Sequence, residues 1–189
     1  MSPATRIVLA RHGETEWNRV GRWQGHADPP LNETGRRQAA ELAEQLREDS
    51  IVAVYSSDLR RASETARLVA KQLDLPVVED AALREIDVGS WSGLTRAEVA
   101  AQFPDGFARW QAGEIGHDGE TREQLTERVV AAVERIAHAH EGKTVLVVTH
   151  GGAIRALRRH AAGDPGTAVV NGGTVAFTLA EGAIVVQDD

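Results

Sequence analysis

The chain has 189 residues and a formal net charge of −7, with a sequence pI of about 5.5. This acidic balance argues against a general nucleic-acid binder or a protein of anionic membrane surfaces, because no broad excess of basic residues is available. Cysteine is absent, which excludes disulfides, thiolate catalysis and cysteine-based metal sites.

Short apolar runs alternate with longer amphipathic stretches along the chain. The apolar runs predict strands at residues 7–10, 52–55, 77–78 and 144–148. The stretches between and after them predict helices at residues 33–47, 59–73, 123–140 and 153–160. The tail predicts a β-hairpin of residues 174–179 and 183–187. No apolar stretch approaches the length of a signal-peptide core or a membrane span, so we expect a cytoplasmic protein.

The alternation of strands and helices predicts an α/β fold in three layers, with a mainly parallel sheet between helices on both faces. The C-terminal hairpin would add antiparallel strands to this sheet. Residues from about 84 to 119 do not fit the alternation and hold large aromatic residues among glycine and proline, so we interpret them as a small cap insertion over the strand ends. We find no linker, repeat or low-complexity segment in the sequence, which favours one domain over residues 1–189.

Two of the predicted strands run into similar sequences. The first is followed by Arg-His-Gly (residues 11–13), and the strand at 144–148 is followed by Thr-His-Gly-Gly (residues 149–152). The carboxyl ends of parallel strands lie at one edge of a sheet, where open α/β sheets bind ligands, so we expect His12 and His150 to meet. Arg11 offers a planar fork of donors suited to phosphate or carboxylate.

Two further segments carry groups suited to an anionic substrate or to proton transfer. Arg60 lies in the first turn of a predicted helix, where a cation opposes the helix dipole, and this placement indicates that it faces a ligand. We expect its neighbour Arg61 to be solvated or salt-bridged. Glu85, near apolar cap residues such as Trp91, is placed to act as a general acid. Taken alone, Arg60 fits an ordinary surface position about as well, and Glu85 fits an exposed carboxylate better.

Taken together, these segments resemble the histidine phosphatase superfamily, also called the phosphoglycerate-mutase-like family. The resemblance rests on residues 9–15 with Trp17-Asn18, residues 57–66, Arg84-Glu85 and residues 149–152, which match in order and spacing over nearly the whole chain. Any one of these motifs is moderately specific, whereas the ordered set is highly specific.

The resemblance implies a phosphate site that uses no cofactor and no metal. His12 would be the nucleophile that takes the phosphoryl group, and Glu85 would donate a proton to the leaving group. The other implied site residues hold or approach the phosphate, and they are Arg11, Arg60, His150, Asn18, Gln24, Gly25 and Gly151. The implied partner is a small phosphorylated metabolite, bound by a monomer or a homodimer.

Within this family the sequence favours a phosphatase over a mutase. Residues 87–89 read Asp-Val-Gly where mutases carry an acidic-aromatic-glycine motif, Gln24-Gly25 stands where mutases have threonine and glycine, and the chain is shorter. We therefore predict a phosphomonoesterase of small metabolites. A phosphoglycerate-type mutase is one alternative. A catalytically silent module that binds phosphorylated ligands is the other, although the presence of both histidines, both arginines and the glutamate argues against it.

Overall fold

The computed structural model describes residues 3–187, and these are arranged around a six-stranded sheet. The strands are β1 (Thr5–Arg11), β2 (Ile51–Ser56), β3 (Val77–Glu79), β4 (Thr144–Thr149), β5 (Thr174–Ala180) and β6 (Ala183–Val186). Their order across the sheet is β3-β2-β4-β1-β5-β6. The first four strands are parallel, whereas β5 and β6 are antiparallel to their neighbours. The prediction of a mainly parallel sheet with a C-terminal hairpin is confirmed.

Helices cover both faces of the sheet. The α-helices of the described residues are α1 (Glu16–Arg19), α2 (Glu33–Gln45), α3 (Arg60–Leu73), α4 (Arg96–Gln102), α5 (Pro104–Gln111), α6 (Arg122–Ala139) and α7 (Gly151–Ala162). One hydrophobic core joins α2 and α3 to one face, and a second joins α6 and α7 to the other. The three predicted layers are therefore present. Among residues 3–187, no helix is both long enough and apolar enough to span a membrane.

The central strand β1 is buried on both of its faces. Ile7 and Leu9 pack in the core with α6 and α7, whereas Val8 and Ala10 pack with α2 and α3. Burial on both sides explains why this strand reads as a continuous apolar run rather than as an alternating one. Its end is fixed relative to β4, because Arg11 pairs in register with Thr149.

The segment after β3 leaves the strand–helix alternation and forms the cap around α4 and α5. It has a small hydrophobic core of its own, in which Trp91 and Val99 are buried. Trp23, from the loop before α2, packs edge-on against Trp91 and Trp110 at centroid distances of 5.4 and 5.3 Å. The cap thereby forms one wall of a cavity that is also lined by Arg11 at the end of β1 and by Gly151 and Gly152, which follow β4.

Two local features were not predicted. The single turn α1 has no buried residue and therefore shows no apolar periodicity, and it is held by a capping box between Thr15 and Asn18. Helix α7 begins at Gly151, two residues earlier than expected, although glycine is a poor helix former. Both features bring backbone and side-chain polar groups to the same edge of the sheet.

Candidate active site

The two histidines that follow β1 and β4 lie side by side. Their ring centroids are 5.1 Å apart, and the ring planes are inclined by 60°. The backbone N–H of His12 donates to the carbonyl of Thr149 at 3.0 Å, which continues the pairing of the two strands. His12 is 3% exposed and His150 is fully buried. The structure thus brings the two imidazoles together at the carboxyl edge of the sheet.

The ring of His12 is held in one tautomer by the backbone. Its Nδ1 lies 2.6 Å from the carbonyl oxygen of Gly13, and since a carbonyl can only accept, Nδ1 carries the proton and Nε2 keeps its lone pair. Burial lowers the pKa of His12 well below its usual value, and the positive charge of Arg61 lowers it further. At neutral pH His12 is therefore an uncharged imidazole with a nucleophilic nitrogen.

His150 is held by Ser57, whose role the sequence did not reveal. Ser57 Oγ accepts the N–H of Leu59 at 3.2 Å and lies 2.9 Å from Nε2 of His150, to which its hydroxyl can donate. Its Nδ1 is buried and has no hydrogen-bond partner among residues 3–187. The pKa of His150 is lowered well below its usual value by burial and then by the charge of Arg61. His150 lies beneath the cavity surface, whereas His12 lines it.

The arginine that α3 contributes to the cavity is Arg61 and not Arg60. Arg61 is fully buried, lines the cavity and donates to the carbonyls of Ala27 and Gly25 at 2.7 and 2.8 Å. Arg60 is exposed and lies outside the cavity lining. This corrects the sequence interpretation, which assigned Arg60 to the ligand and expected Arg61 to be solvated or salt-bridged. The face of α3 that carries Arg61 packs against the protein interior, whereas Arg60 lies on the exposed side of the helix.

Arg11 and Arg61 together bring two positive charges to the cavity. Arg11 is half-buried and donates to the carbonyl of Val169 at 2.7 Å. Burial lowers the pKa of Arg11, an effect that Glu85 opposes, and burial lowers the pKa of Arg61 to about 10. Both guanidinium groups are therefore charged at neutral pH. The Nε of each is buried without a hydrogen-bond partner in the described part of the chain.

Glu85 reaches the same cavity from the start of the cap. Its Oε2 accepts the N–H of Gly152 at 3.0 Å, and its Oε1 accepts the N–H of Ile86 at 2.8 Å. A Cβ atom added to Gly152 would lie 2.0 Å from Oε1. Glycine at this position therefore allows the carboxylate to sit against the N-terminus of α7.

Arg128 of α6 holds the segment that carries Glu85. Its five N–H groups are all used, at distances of 2.5 to 3.0 Å. Nε and Nη2 donate to the carboxylate of Glu120, Nη1 donates to the carbonyls of Ala82 and Arg84, and Nη2 also donates to the carbonyl of Glu85. Arg128 is therefore a positioning residue, and no sequence motif pointed to it.

The remaining predicted site residues line the same cavity, which has a volume of about 800 Å³, and they are Asn18, Gln24, Gly25 and Gly151. Oδ1 of Asn18 accepts the N–H of Thr15 at 3.1 Å. The side-chain amide of Asn171 donates to the carbonyl of His12 at 3.0 Å and lies 3.4 Å from Oδ1 of Asn18. Asn171, in the loop before β5, is another residue that the sequence analysis missed.

Comparisons with known proteins agree on one family. A family model described as the histidine phosphatase superfamily (branch 1) matches residues 7–180. A metal-independent phosphoserine phosphatase from Arabidopsis thaliana is 46% identical over 162 residues, which cover 82% of this chain and 68% of that protein. A glucosyl-3-phosphoglycerate phosphatase from Mycolicibacterium vanbaalenii is 37% identical over 169 residues, which cover 85% of this chain and 75% of that protein. The solved structure of Bacillus stearothermophilus YhfR superposes with a TM-score of 0.89 at 33% identity, covering 96% of this chain and 95% of that one.

The chain belongs to the histidine phosphatase superfamily. Among the members of that family it is a phosphatase of the histidine-phosphatase type. The family and the class of enzyme that the sequence motifs predicted are both confirmed.

Proposed function

We propose that this phosphatase hydrolyses small phosphorylated metabolites through a covalent phosphohistidine on His12, with Glu85 as general acid and base. The observation that carries the proposal is the free Nε2 lone pair of an uncharged His12 in a cavity that is also lined by Arg11, Arg61 and Glu85. The guanidinium groups supply the positive charge that a phosphate dianion needs, without a metal ion.

In the first step, Nε2 of His12 attacks phosphorus. A phosphorus–nitrogen bond forms as the bond between phosphorus and the ester oxygen breaks, and the protonated carboxyl group of Glu85 gives its proton to that oxygen. The Nδ1–H bond to Gly13 stabilises the positive ring that results. Arg11 and Arg61 stabilise the charge on the phosphoryl oxygens, and we assign the unpartnered Nδ1 of His150 to the same task.

In the second step, water releases the phosphate. The carboxylate of Glu85, left by the first step, takes a proton from a water molecule as the water oxygen attacks phosphorus. The phosphorus–nitrogen bond breaks, its electron pair returns to Nε2, and inorganic phosphate leaves. His12 is again neutral and Glu85 again carries its proton, so the cycle closes.

The covalent intermediate can be trapped directly. Brief incubation with phosphorus-labelled substrate, a quench in base and peptide mapping should place an acid-labile label on His12. The variant His12→Asn should carry no label, whereas His160→Asn, which changes an exposed histidine at the other end of α7, should label normally. Label on another residue, or the absence of label in an active enzyme, would contradict the proposal.

The role of Glu85 predicts a dependence on the leaving group. We expect Glu85→Gln to slow the hydrolysis of alkyl phosphates by about 10²–10³-fold and that of p-nitrophenyl phosphate by less than about tenfold, because a good leaving group needs little protonation. Glu114→Gln is the matched control, since Glu114 is the other carboxylate of the cavity lining within the described residues. Equal losses on both substrates would mean that Glu85 only shapes the cavity.

The physiological ester is to be sought among phosphorylated metabolites, including the phosphoserine and glucosyl-3-phosphoglycerate named for the two relatives. A screen for released phosphate separates the candidate functions. Net release of phosphate supports hydrolysis, isomerised product without release would support a phosphoglycerate-type mutase, and binding without turnover would support a silent binding module.

A further inference from the structure

The cavity is strongly cationic although the chain as a whole is acidic. Two carboxylates, those of Glu85 and Glu114, line it within the described residues. Seven arginines line it as well, and they are Arg11, Arg22, Arg61, Arg96, Arg122, Arg155 and Arg159. The net charge of the chain is −7. Basic residues are therefore concentrated in the cavity, although the proposed phosphate site uses only two of the seven arginines, Arg11 and Arg61.

Two of the other arginines already have partners in the cap. Arg22 donates to the carboxylate of Glu98 at 2.8 Å. The guanidinium carbon of Arg96 lies 5.2 Å from the centroid of the Trp110 ring, which is a cation–π distance. These contacts hold the cap together, so neither arginine needs an anionic ligand.

Three arginines of the cavity remain, Arg122 at the start of α6 and Arg155 and Arg159 on α7. None of them forms a salt bridge with a carboxylate of residues 3–187. The only side-chain hydrogen bond of these three arginines within the described residues runs from Nη2 of Arg122 to the backbone carbonyl of Glu114, at 3.4 Å. By contrast, ten other arginines of the described chain are paired with acidic side chains.

The three arginines belong to one region of the cavity wall. Helices α6 and α7 pack against each other. Arg155 and Arg159 are four residues apart and so share one face of α7. The pKa of Glu123 is lowered first by hydrogen bonds to its own backbone and to Thr121, and further by the charges of Arg122 and Arg159. The charges of Arg122 on α6 and Arg159 on α7 therefore both act on this one exposed carboxylate.

Their distance from the phosphate site indicates a substrate longer than phosphoserine. At 1.5 Å per residue, Arg155 and Arg159 lie about 8 Å and about 14 Å along α7 from His150, and helical side chains lean back toward the N-terminus by a few ångströms. Ordinary bond lengths place the carboxyl carbon of phosphoserine at most about 5 Å from its phosphorus. A cavity of about 800 Å³ leaves room for a larger molecule.

We propose that Arg122, Arg155 and Arg159 form a second anion subsite, which binds a carboxylate or phosphate at the far end of the substrate. The substrate is a phosphomonoester whose reacting phosphate and second anion are separated by a sugar-sized or alkyl middle part. That middle part lies against the apolar wall that Trp17, Ile115 and Leu125 give the cavity. This inference rests on the proposed phosphatase function.

Matched six-carbon esters test the subsite. Hexyl phosphate carries the reacting group alone, whereas hexane-1,6-diol bisphosphate adds a phosphate about 11 Å away and 6-phosphooxyhexanoate adds a carboxylate about 9 Å away. We expect kcat/KM for at least one of the two esters with a second anionic group to exceed that for hexyl phosphate by about tenfold, after the bisphosphate value is halved for its two equivalent ends. The two esters distinguish a phosphate-selective from a carboxylate-selective subsite.

The double variant Arg155→Gln/Arg159→Gln should reduce this ratio of kcat/KM values by about tenfold. The matched control is Arg158→Gln, because Arg158 lies on the same helix, donates to the carbonyl of Thr167 at 3.0 Å and is not part of the cavity lining. It should leave the ratio unchanged. In the unmodified enzyme, raising the salt concentration from about 0.05 M to about 0.5 M should lower the ratio as well, because screening weakens attraction between exposed charges.

A ratio near one in the unmodified enzyme would overturn the subsite. Equal losses for hexyl phosphate and the esters with a second anionic group in the double variant would also overturn it, since the arginines would then act on the phosphate site or on folding. If the double variant does not fold, the salt dependence decides, and a ratio that does not change with salt counts against the subsite. An enzyme that releases no phosphate from hexyl phosphate or from p-nitrophenyl phosphate would instead contradict the proposed function, and the inference with it.

Discussion

Replacing Arg61 by methionine tests the proposed catalytic role of this residue separately from its role in the fold. Arg61 is fully buried, and its Nη1 and Nη2 donate to the carbonyls of Ala27 and Gly25. Methionine keeps much of the length and the apolar stem of the side chain but removes the charge and all donors. The neighbouring Arg60, which is exposed and outside the cavity lining, supplies a control of the same chemistry at the adjacent position.

The structure allows the two effects of this substitution to be estimated. Burial lowers the pKa of Arg61 to about 10, so holding the charge in the folded protein costs about 3 kcal/mol, and methionine removes that cost. Against this gain, two carbonyls lose their donors, at about 1–3 kcal/mol each. The two terms largely offset each other, so we expect the free energy of unfolding to fall by no more than about 3 kcal/mol. Loss of one preorganised cation should reduce kcat/KM by about 10²–10³-fold.

Steady-state kinetics and urea unfolding of the same preparations test this estimate. Arg61→Met should fold, lose activity and lose the stabilisation that inorganic phosphate gives the unmodified enzyme. Arg60→Met should match the unmodified enzyme in all three measurements. Activity within about threefold of normal in Arg61→Met, or similar losses in both variants, would refute the assignment of Arg61 to the phosphate site.

Three further predictions concern Gly152, the histidine pair and metal ions. Gly152→Ala should reduce kcat/KM by about tenfold or more by displacing Glu85, since its Cβ would lie 2.0 Å from Oε1. Kinetics on alkyl phosphates should show a smaller effect for Gly151→Ala, whose Cβ would lie 3.5 Å from Nε of Arg11. Burial lowers the pKa values of His12 and His150, so the unfolded chain binds up to two more protons below pH about 6.5. The contribution of the two neutral histidines to the free energy of unfolding is fully present above that pH and should be lost as the pH falls, at up to about 2.7 kcal/mol per pH unit. Urea unfolding at a series of pH values should show a smaller loss of stability per pH unit in the variant that lacks both rings. Treatment with EDTA should leave activity intact, because no cluster of three potential metal-ligating side chains occurs among residues 3–187; loss of activity that a divalent ion restores would contradict this.

The positions of the two histidines were predictable because they depend on the most regular part of the fold. Apolar runs that are buried on both faces identify central parallel strands, and parallel strands end at the same edge of the sheet. The residues that follow β1 and β4 must therefore be neighbours, whatever the details of the loops. Glu85 was expected at this edge of the sheet from the family resemblance alone, and its carboxylate accepts the N–H of Gly152, a residue of the motif at 149–152.

The sequence analysis chose Arg60 over Arg61 because it relied on the helix dipole rather than on helical periodicity. The helix dipole disfavours a cation at either position and so does not distinguish them. Helical periodicity does distinguish them: Arg61 lies on the stripe of α3 that includes Ala62, Thr65 and Val69, all of which are buried. An arginine within an apolar stripe must find partners inside the protein, and this signal was present in the sequence.

Other parts of the site depend on contacts between segments far apart in the chain. Arg128 bonds to carbonyls more than forty residues away, and Asn171 bonds to the carbonyl of His12, which lies 159 positions earlier. Neither residue belongs to a sequence motif whose chemistry predicts its role. Such contacts are fixed by the packing of α6 and of the loop before β5, which a single sequence does not specify.

In the proposed mechanism, the buried charge of Arg61 links substrate binding to the reactivity of His12. It lowers the pKa of both His12 and His150, after burial itself, and it also faces the cavity that receives the phosphate. Nε of Arg11, Nε of Arg61 and Nδ1 of His150 are buried without acceptors in residues 3–187, and a phosphoryl group offers oxygens that accept from such donors. The same arrangement that keeps His12 neutral, and thus nucleophilic, therefore makes the site attractive to a dianion. The lowered histidine pKa values also reduce the stability of the fold in acid. A change that raised the pKa of His12 would stabilise the fold at low pH, but it would also make His12 easier to protonate and therefore a poorer nucleophile.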